Sequence, residues 1–392
     1  MLYTNFFAGE FEYYLFIFLF GRAAKTVFRF LIMKRIKILL TFDYELPLGY
    51  CTDYQKALFN PAEDLINCAN SLNVPIVLFA DVCSAIQFKE WDYENYYLPF
   101  TNQLKKSLQA GHDVQLHIHP HWMNSTYTAD KFIPSPNFSL SSFKEPLSGY
   151  TIEKIIEEAF VELNKIAKKE KADYSCVAFR AGGYDVEPES KRILNKLYEL
   201  GIRIESSVIK NFYLDYSFSH IDYSNSPKSS NWLISKNGPL AIEGNDLLEL
   251  PISSMPMTIA DIMRRRIKKT LNGRVYKQRA FANSGKGFLA ISGNQTLKSK
   301  LRKITNPQVL SFDKEHLEYQ DLADIVSYNV AKYADEPGDL VLTTIAHPKS
   351  MGTYHLNLLK EFVEKSREKY KDQLEFVTYP QILESYKTVL HA

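Results

Sequence analysis

His117, His119 and His121 stand at alternate positions and hold the densest potential for chemistry in this 392-residue chain. With His112 they place four of its nine histidines within Gly111-His112-Asp113-Val114-Gln115-Leu116-His117-Ile118-His119-Pro120-His121-Trp122. Val114, Leu116 and Ile118 alternate with more polar residues, the period of a strand with one face on a core. His117 and His119 therefore share the opposite face. Pro120 has no ladder donor and must break the strand. A turn there swings His121 back beside His117. Two neutral imidazoles so placed, at the mouth of a sheet, suit a divalent transition metal. On these residues alone, histidines that merely pack a core or line a rim remain an alternative.

Other polar residues end apolar runs in the same manner. Ile36 to Phe42 reads as a buried parallel strand and ends in Asp43. Pro75 to Ala80 ends at Asp81, Ser175 to Phe179 at Arg180, and Leu340 to Ala346 at His347. Further strands are expected over 202–208 and 247–252, with an eighth over 374–377. Helical patterns fall between them at 61–72, 98–110, 152–169, 187–200, 317–333, 356–370 and 379–390. Residues 123–150 and 209–246, rich in Ser, Pro, Asn and Tyr, read as long loops. Strands alternating with helices imply an α/β barrel or a doubly wound sheet. Asp43, Asp81, His117, Arg180 and His347 all fall at or near C-terminal strand ends. A barrel gathers those ends on one face, so a barrel is the expectation.

Composition bounds the rest. The chain is 45% hydrophobic and 23% charged, as ordinary globular proteins are. Cys51, Cys68, Cys83 and Cys176 form no CxxC pair and read as reduced, mostly buried thiols of a cytosolic protein. The net charge of +2 hides an asymmetry: residues 262–312 contain 13 Lys and Arg and no Asp or Glu. Such a basic insertion suggests an anionic partner, such as a phospholipid surface, a lipid-linked sugar or an acidic glycan. A solvated insertion docked on an acidic body explains it equally well. No nucleic-acid signature accompanies it. Residues 1–33 form an apolar N-terminal extension. Its eight-residue run Tyr13–Phe20 is too short to span a bilayer and makes a poor signal peptide. The extension reads either as a membrane-surface segment or as sequence upstream of a start at Met33.

Five short segments resemble, in order and spacing, the polysaccharide deacetylase family. They are Thr41-Phe42-Asp43-Tyr44-Glu45, the run from Gly111 through His117 and His121, Phe179-Arg180-Ala181-Gly182-Gly183-Tyr184, Leu248-Glu249-Leu250-Pro251 and Ile345-Ala346-His347-Pro348. The first two are the most specific and the fourth is weak. The resemblance spans roughly residues 35–385 and implies a distorted (β/α)7 barrel with long loop insertions over 34–392. It also implies a hydrolase that removes acetyl groups from an N-acetylated carbohydrate, in the setting of bacterial surface polysaccharide. By the same resemblance Asp43 is the general base and Arg180 the arginine that orients it. His117 and His121 are the metal-binding histidines, and His347 is the general acid. Zinc is the expected ion, and the expected location is cytoplasmic, at the inner membrane surface.

One departure changes the ligand set. Many members carry an aspartate directly after the base as third ligand, and here that residue is Tyr44. Glu45 shares a strand face with Asp43, so Glu45 is the expected third ligand. Completion by Asp81 or water, and a metal-free site, are the alternatives. They keep two other functions open: a metal-free amidase or glycosidase, and a glycan-binding protein without catalysis.

Overall fold

The structure is a computed structural model that describes residues 34–390, apart from residues 52, 130, 217–218, 239, 241–242 and 284–303. The apolar extension 1–33 lies outside the described residues, as does the middle of the basic insertion.

The first apolar run serves two sheets. Its first half, β1 (Ile36–Leu39), and its second, β2 (Thr41–Tyr44), are separated by Leu40. Then follow β3 (Val77–Asp81), β4 (Asp113–Ile118), β5 (Ala178–Ala181), β6 (Ile204–Glu205), β7 (Trp232–Ile234), β8 (Leu247–Glu249), β9 (Leu340–Thr343) and β10 (Leu374–Phe376). A seven-stranded sheet runs β7-β8-β6-β5-β4-β3-β2, parallel except for β7 at one edge. A separate parallel sheet runs β9-β1-β10.

The fold is thus mixed α/β around a central parallel sheet, and the expected barrel is not closed by continuous ladders. Isolated bridges Phe42↔Ala346 and Ile252↔Thr343 join the end of β9 and the chain just beyond it to β2 and to the chain that follows β8, and Ser311↔Ile345 adds the chain after the basic insertion. The strands on that side are short, with β6, β8 and β10 only two or three residues each.

Register then positions the polar residues. In parallel ladders, directly paired residues point to the same face. Asp81 pairs with His117, and His117 with Arg180. Asp43 pairs with Phe79 one step below. Beneath that row lies an apolar floor of Leu39, Val77, Phe79, Ala178, Ile204, Leu248 and Tyr379. At roughly 25 cal/mol per Å² of buried apolar surface, this floor fixes the strand ends firmly enough to hold charged groups above it. On the other face, Tyr44 donates its hydroxyl to Gln103 Oε1 at 2.8 Å and packs against Phe100.

Most expected helices form. Val82–Trp91 was not among them; it begins directly after Asp81 and buries residues on several sides, so it carries no amphipathic period. The expected loops 123–150 and 209–246 contain short antiparallel pairs, Thr126–Thr128 with Lys131–Ile133 and Tyr213–Tyr216 with Ser219–Asp222. No helix among the described residues is long and apolar enough to cross a membrane. All four cysteines are free.

Candidate active site

Asp43, next to the last residue of β2, is buried and meets Arg180 from β5. Arg180 Nη1 donates to Asp43 Oδ1 at 2.7 Å, and Nε donates to the Ser206 carbonyl at 2.9 Å. The guanidinium lies 4.1 Å over the Phe79 ring. A fully buried arginine held by a carboxylate, a carbonyl and an aromatic face has one orientation, and it fixes Asp43 in turn. The second carboxylate oxygen stays available, 3.9 Å from His117 Nε2 and 3.7 Å from His347 Nε2.

His117 donates Nδ1–H to the Arg180 carbonyl at 2.8 Å, so Nε2, whose lone pair a proton or a metal takes, is the nitrogen turned toward Glu45 Oε2 at 3.2 Å. A backbone acceptor on one ring nitrogen is the arrangement that prepares the other as a metal ligand. His119 Nε2 contacts the same Glu45 oxygen. Glu45, His117 and His119 are all buried, and their ligand atoms lie within 4.8 Å of one another. One carboxylate and two imidazoles form a donor set that fits a divalent transition metal.

His119, and not the expected His121, stands in this cluster. The strand alternation reaches as far as His119, which keeps it on the face of His117. Pro120 then starts a 3-10 turn, Pro120–Asn124, which carries His121 past the cluster. His121 stacks on Phe138 at 4.4 Å and lies 5.8 Å, ring to ring, from His119. It is fully buried and neither ring nitrogen has a hydrogen-bond partner. Burial and the neighbouring His119 push its pKa well down, so it is a neutral imidazole.

The charges around the cluster are strongly coupled. Burial pushes the Glu45 carboxyl up, but His119, Lys349 and His117 outweigh it and hold the group well below the usual carboxylate range. Burial disfavours the His117 cation, yet Asp43, Glu45 and Asp81 raise it to about 9. The site thus presents a negative field to whatever cation, proton or metal, occupies that lone pair.

His347 lies beyond β9, with Nε2 3.6 Å from Glu45 Oε1. Its Nδ1 is 2.6 Å from Asp313 Oδ2, which also accepts from the His347 backbone N–H at 3.1 Å. Burial raises the Asp313 carboxyl, but Lys314, His347 and Ser311 more than offset this and leave it low, as the anion.

The sequence reading did not single out Asp313. It lies 34 residues upstream, inside the chain that follows the basic insertion. Its only signal was an acid directly after the short, mainly apolar run Val309-Leu310-Ser311-Phe312. Lys349 was missed as well: its Nζ is 2.8 Å from Glu45 Oε1 and 3.0 Å from the Leu46 carbonyl.

Two candidates are employed elsewhere. Asp81 accepts from Trp122 Nε1 at 2.6 Å and from the His119 backbone N–H at 3.2 Å, so both oxygens hold the histidine turn. Glu249 pairs in register with Glu205, away from the cluster. Tyr184 adopts φ 66° as a turn residue and accepts from the Tyr223 hydroxyl through its carbonyl.

No family model matches the chain, and no curated protein matches it significantly. Its neighbours among solved structures are polysaccharide deacetylases and related glycoside hydrolase/deacetylase-type proteins at low identity. A protein assigned as a glycoside hydrolase/deacetylase from Parabacteroides distasonis aligns with 91% of this chain and 72% of its own, at 12% identity and a TM-score of 0.51. A GH57-type branching enzyme from Pyrococcus horikoshii aligns over 91% and 71%, at 9% identity and a TM-score of 0.49. A polysaccharide deacetylase from Mycobacterium smegmatis aligns over 91% of each chain, at 14% identity and a TM-score of 0.45. The first of these shares the fold with this chain.

Proposed function

We propose that this chain is a metal-dependent deacetylase that removes the acetyl group of an N-acetylated sugar, in bacterial surface-polysaccharide metabolism. One observation carries the reading: an oriented carboxylate, Asp43 on Arg180, and an oriented imidazole, His347 on Asp313, approach to 3.7 Å beside the Glu45, His117 and His119 cluster. A binding module has no need of a separate base and acid, each with its own positioning partner.

Glu45, His117 and His119 would hold the ion, with zinc as the proposed metal and His121 beside them. Such an ion supplies Lewis acidity, polarising an acetyl carbonyl and making a water easier to deprotonate. The remaining steps belong to the protein. Asp43 takes the proton from the attacking water through its free Oδ2. Arg180 keeps the carboxylate aimed and ionised. His347 gives a proton to the departing sugar nitrogen through Nε2, as the C–N bond breaks and acetate is released. Asp313 anchors Nδ1, so that Nε2 is the nitrogen turned to the substrate.

Acetate release from N-acetylated oligosaccharides tests this. Asp43→Asn lowers kcat by about 10²–10⁴ with KM little changed, and an unchanged rate overturns the proposal. A second reading has its own observation, the Lys349–Glu45 ion pair. Lys349 already neutralises the cluster's acid, as a metal-free hydrolase would require. Full activity after exhaustive chelation would favour that reading.

A further inference from the structure

The helix Ile259–Leu271 in the basic insertion is inverted with respect to the body of the protein. Thr258 and Asp261 form a reciprocal cap at its start. Ile259, Met263, Ile267 and Leu271 then recur every four residues and lie on one face. They are 76%, 60%, 57% and 77% exposed. The half-buried positions, Asp261, Ile262 and Arg265, fall on the opposite face, and the helix has no fully buried residue. An amphipathic helix on a globular protein ordinarily turns its apolar stripe to the core. This one turns its polar face inward and its apolar stripe to solvent.

Charge identifies the occupant of that stripe. Arg264 and Arg266 flank it on its two edges, with Lys268 and Lys269 around the rest of the polar face. The whole stretch 262–312 contains no acid. A second copy of the chain would bring two such basic segments together and repel. A bilayer with anionic lipids satisfies both parts of the face: side chains enter the acyl boundary while the flanking cations meet the headgroups.

We infer that Ile259–Leu271 is a membrane-surface helix that docks this protein on anionic bilayers. The inference stands independently of the chemistry proposed above.

Cosedimentation of the full chain with vesicles tests this, using phosphatidylcholine alone and phosphatidylcholine mixed with phosphatidylglycerol. The expected result is association with the mixed vesicles, at least about tenfold weaker on the neutral ones and weakened by salt. A variant with Ile259→Gln, Met263→Gln, Ile267→Gln and Leu271→Gln loses about tenfold or more of that association while its circular dichroism and melting are retained. As a second readout, Ile267→Trp places a fluorophore whose emission shifts to the blue on mixed vesicles. Undiminished binding by the Gln variant, or an unshifted emission, overturns the inference. So does a dimer in vesicle-free solution that the Gln variant dissolves, since the stripe would then be a self-association face.

Discussion

Glu45 is where the charges of the site converge. One oxygen meets His117 and His119, and the other meets Lys349, with His347 at 3.6 Å. A buried carboxylate so surrounded is ionised and has lone pairs in two directions. The competing histidines differ in kind. His119 is already on Glu45, whereas His121 is a buried imidazole that no donor or acceptor satisfies. An unpaired buried polar atom is costly, and beside a cluster that could hold a metal it offers a further donor. The geometry predicts that zinc affinity falls at least about tenfold in His119→Ala and remains nearer the native value in His121→Ala. Titration of each variant with a competing chelator measures this. The reverse order would return the second histidine's place to His121.

At the scale of elements, the site is the meeting of two turns. The end of β4 carries the histidines, and the end of β5 turns at Gly182 and Gly183. A methyl group on Gly182 would come within 2.6 Å of both the Ile118 carbonyl and His119 Nδ1. The carbonyl cannot yield, so the histidine ring or the turn must. Gly182→Ala is expected to destabilise the fold by about 1–3 kcal/mol and to weaken metal binding through the displaced His119. Thermal melts with and without zinc separate the two effects: a lowered melting temperature with an unchanged zinc increment would remove the packing link. Gly183, by contrast, adopts φ 64° with open space around it, so its demand is conformational rather than steric.

The whole molecule tolerates one costly arrangement away from the site. Glu205 and Glu249 face each other on adjacent parallel strands, and both are fully buried. Glu205 is tied to Ser207, and Glu249 lies against Glu205 and the Val208 backbone with no cationic partner in hydrogen-bond contact among the described residues. Burial and then the neighbouring Glu205 push Glu249 well above the ordinary carboxylate range, so it is folded as the neutral acid. The linkage follows from the sign. A carboxyl with a raised folded pKa costs nothing below its unfolded value near pH 4.5, and penalises folding progressively as pH rises beyond that. Glu249→Gln keeps the shape and removes the penalty. It is expected to stabilise the protein by about 1–2 kcal/mol at pH 8 and to change little at pH 4.5. Denaturant melts at the two pH values check this, and equal effects at both would show that Glu249 is already ionised in the folded protein.

Much of the frame follows from local rules written in the sequence itself. Period-two alternation puts His117 and His119 on one strand face, and Asp43 and Glu45 on another. Apolar runs that stop at Asp43, Asp81, Arg180 and His347 announce strand ends. Those rules act over a few residues, so they hold before any tertiary contact forms. The partners of these side chains were decided at longer range. Asp313 reaches His347, and Lys349 reaches Glu45 across 304 residues, only because chain beyond β9 bridges back to the end of β2. His119 displaces His121 because Pro120 redirects the backbone after the strand has ended. The inverted helix Ile259–Leu271 shows the same limit. Its amphipathic period is local, but which of its faces the body covers is set by the docking of the whole insertion.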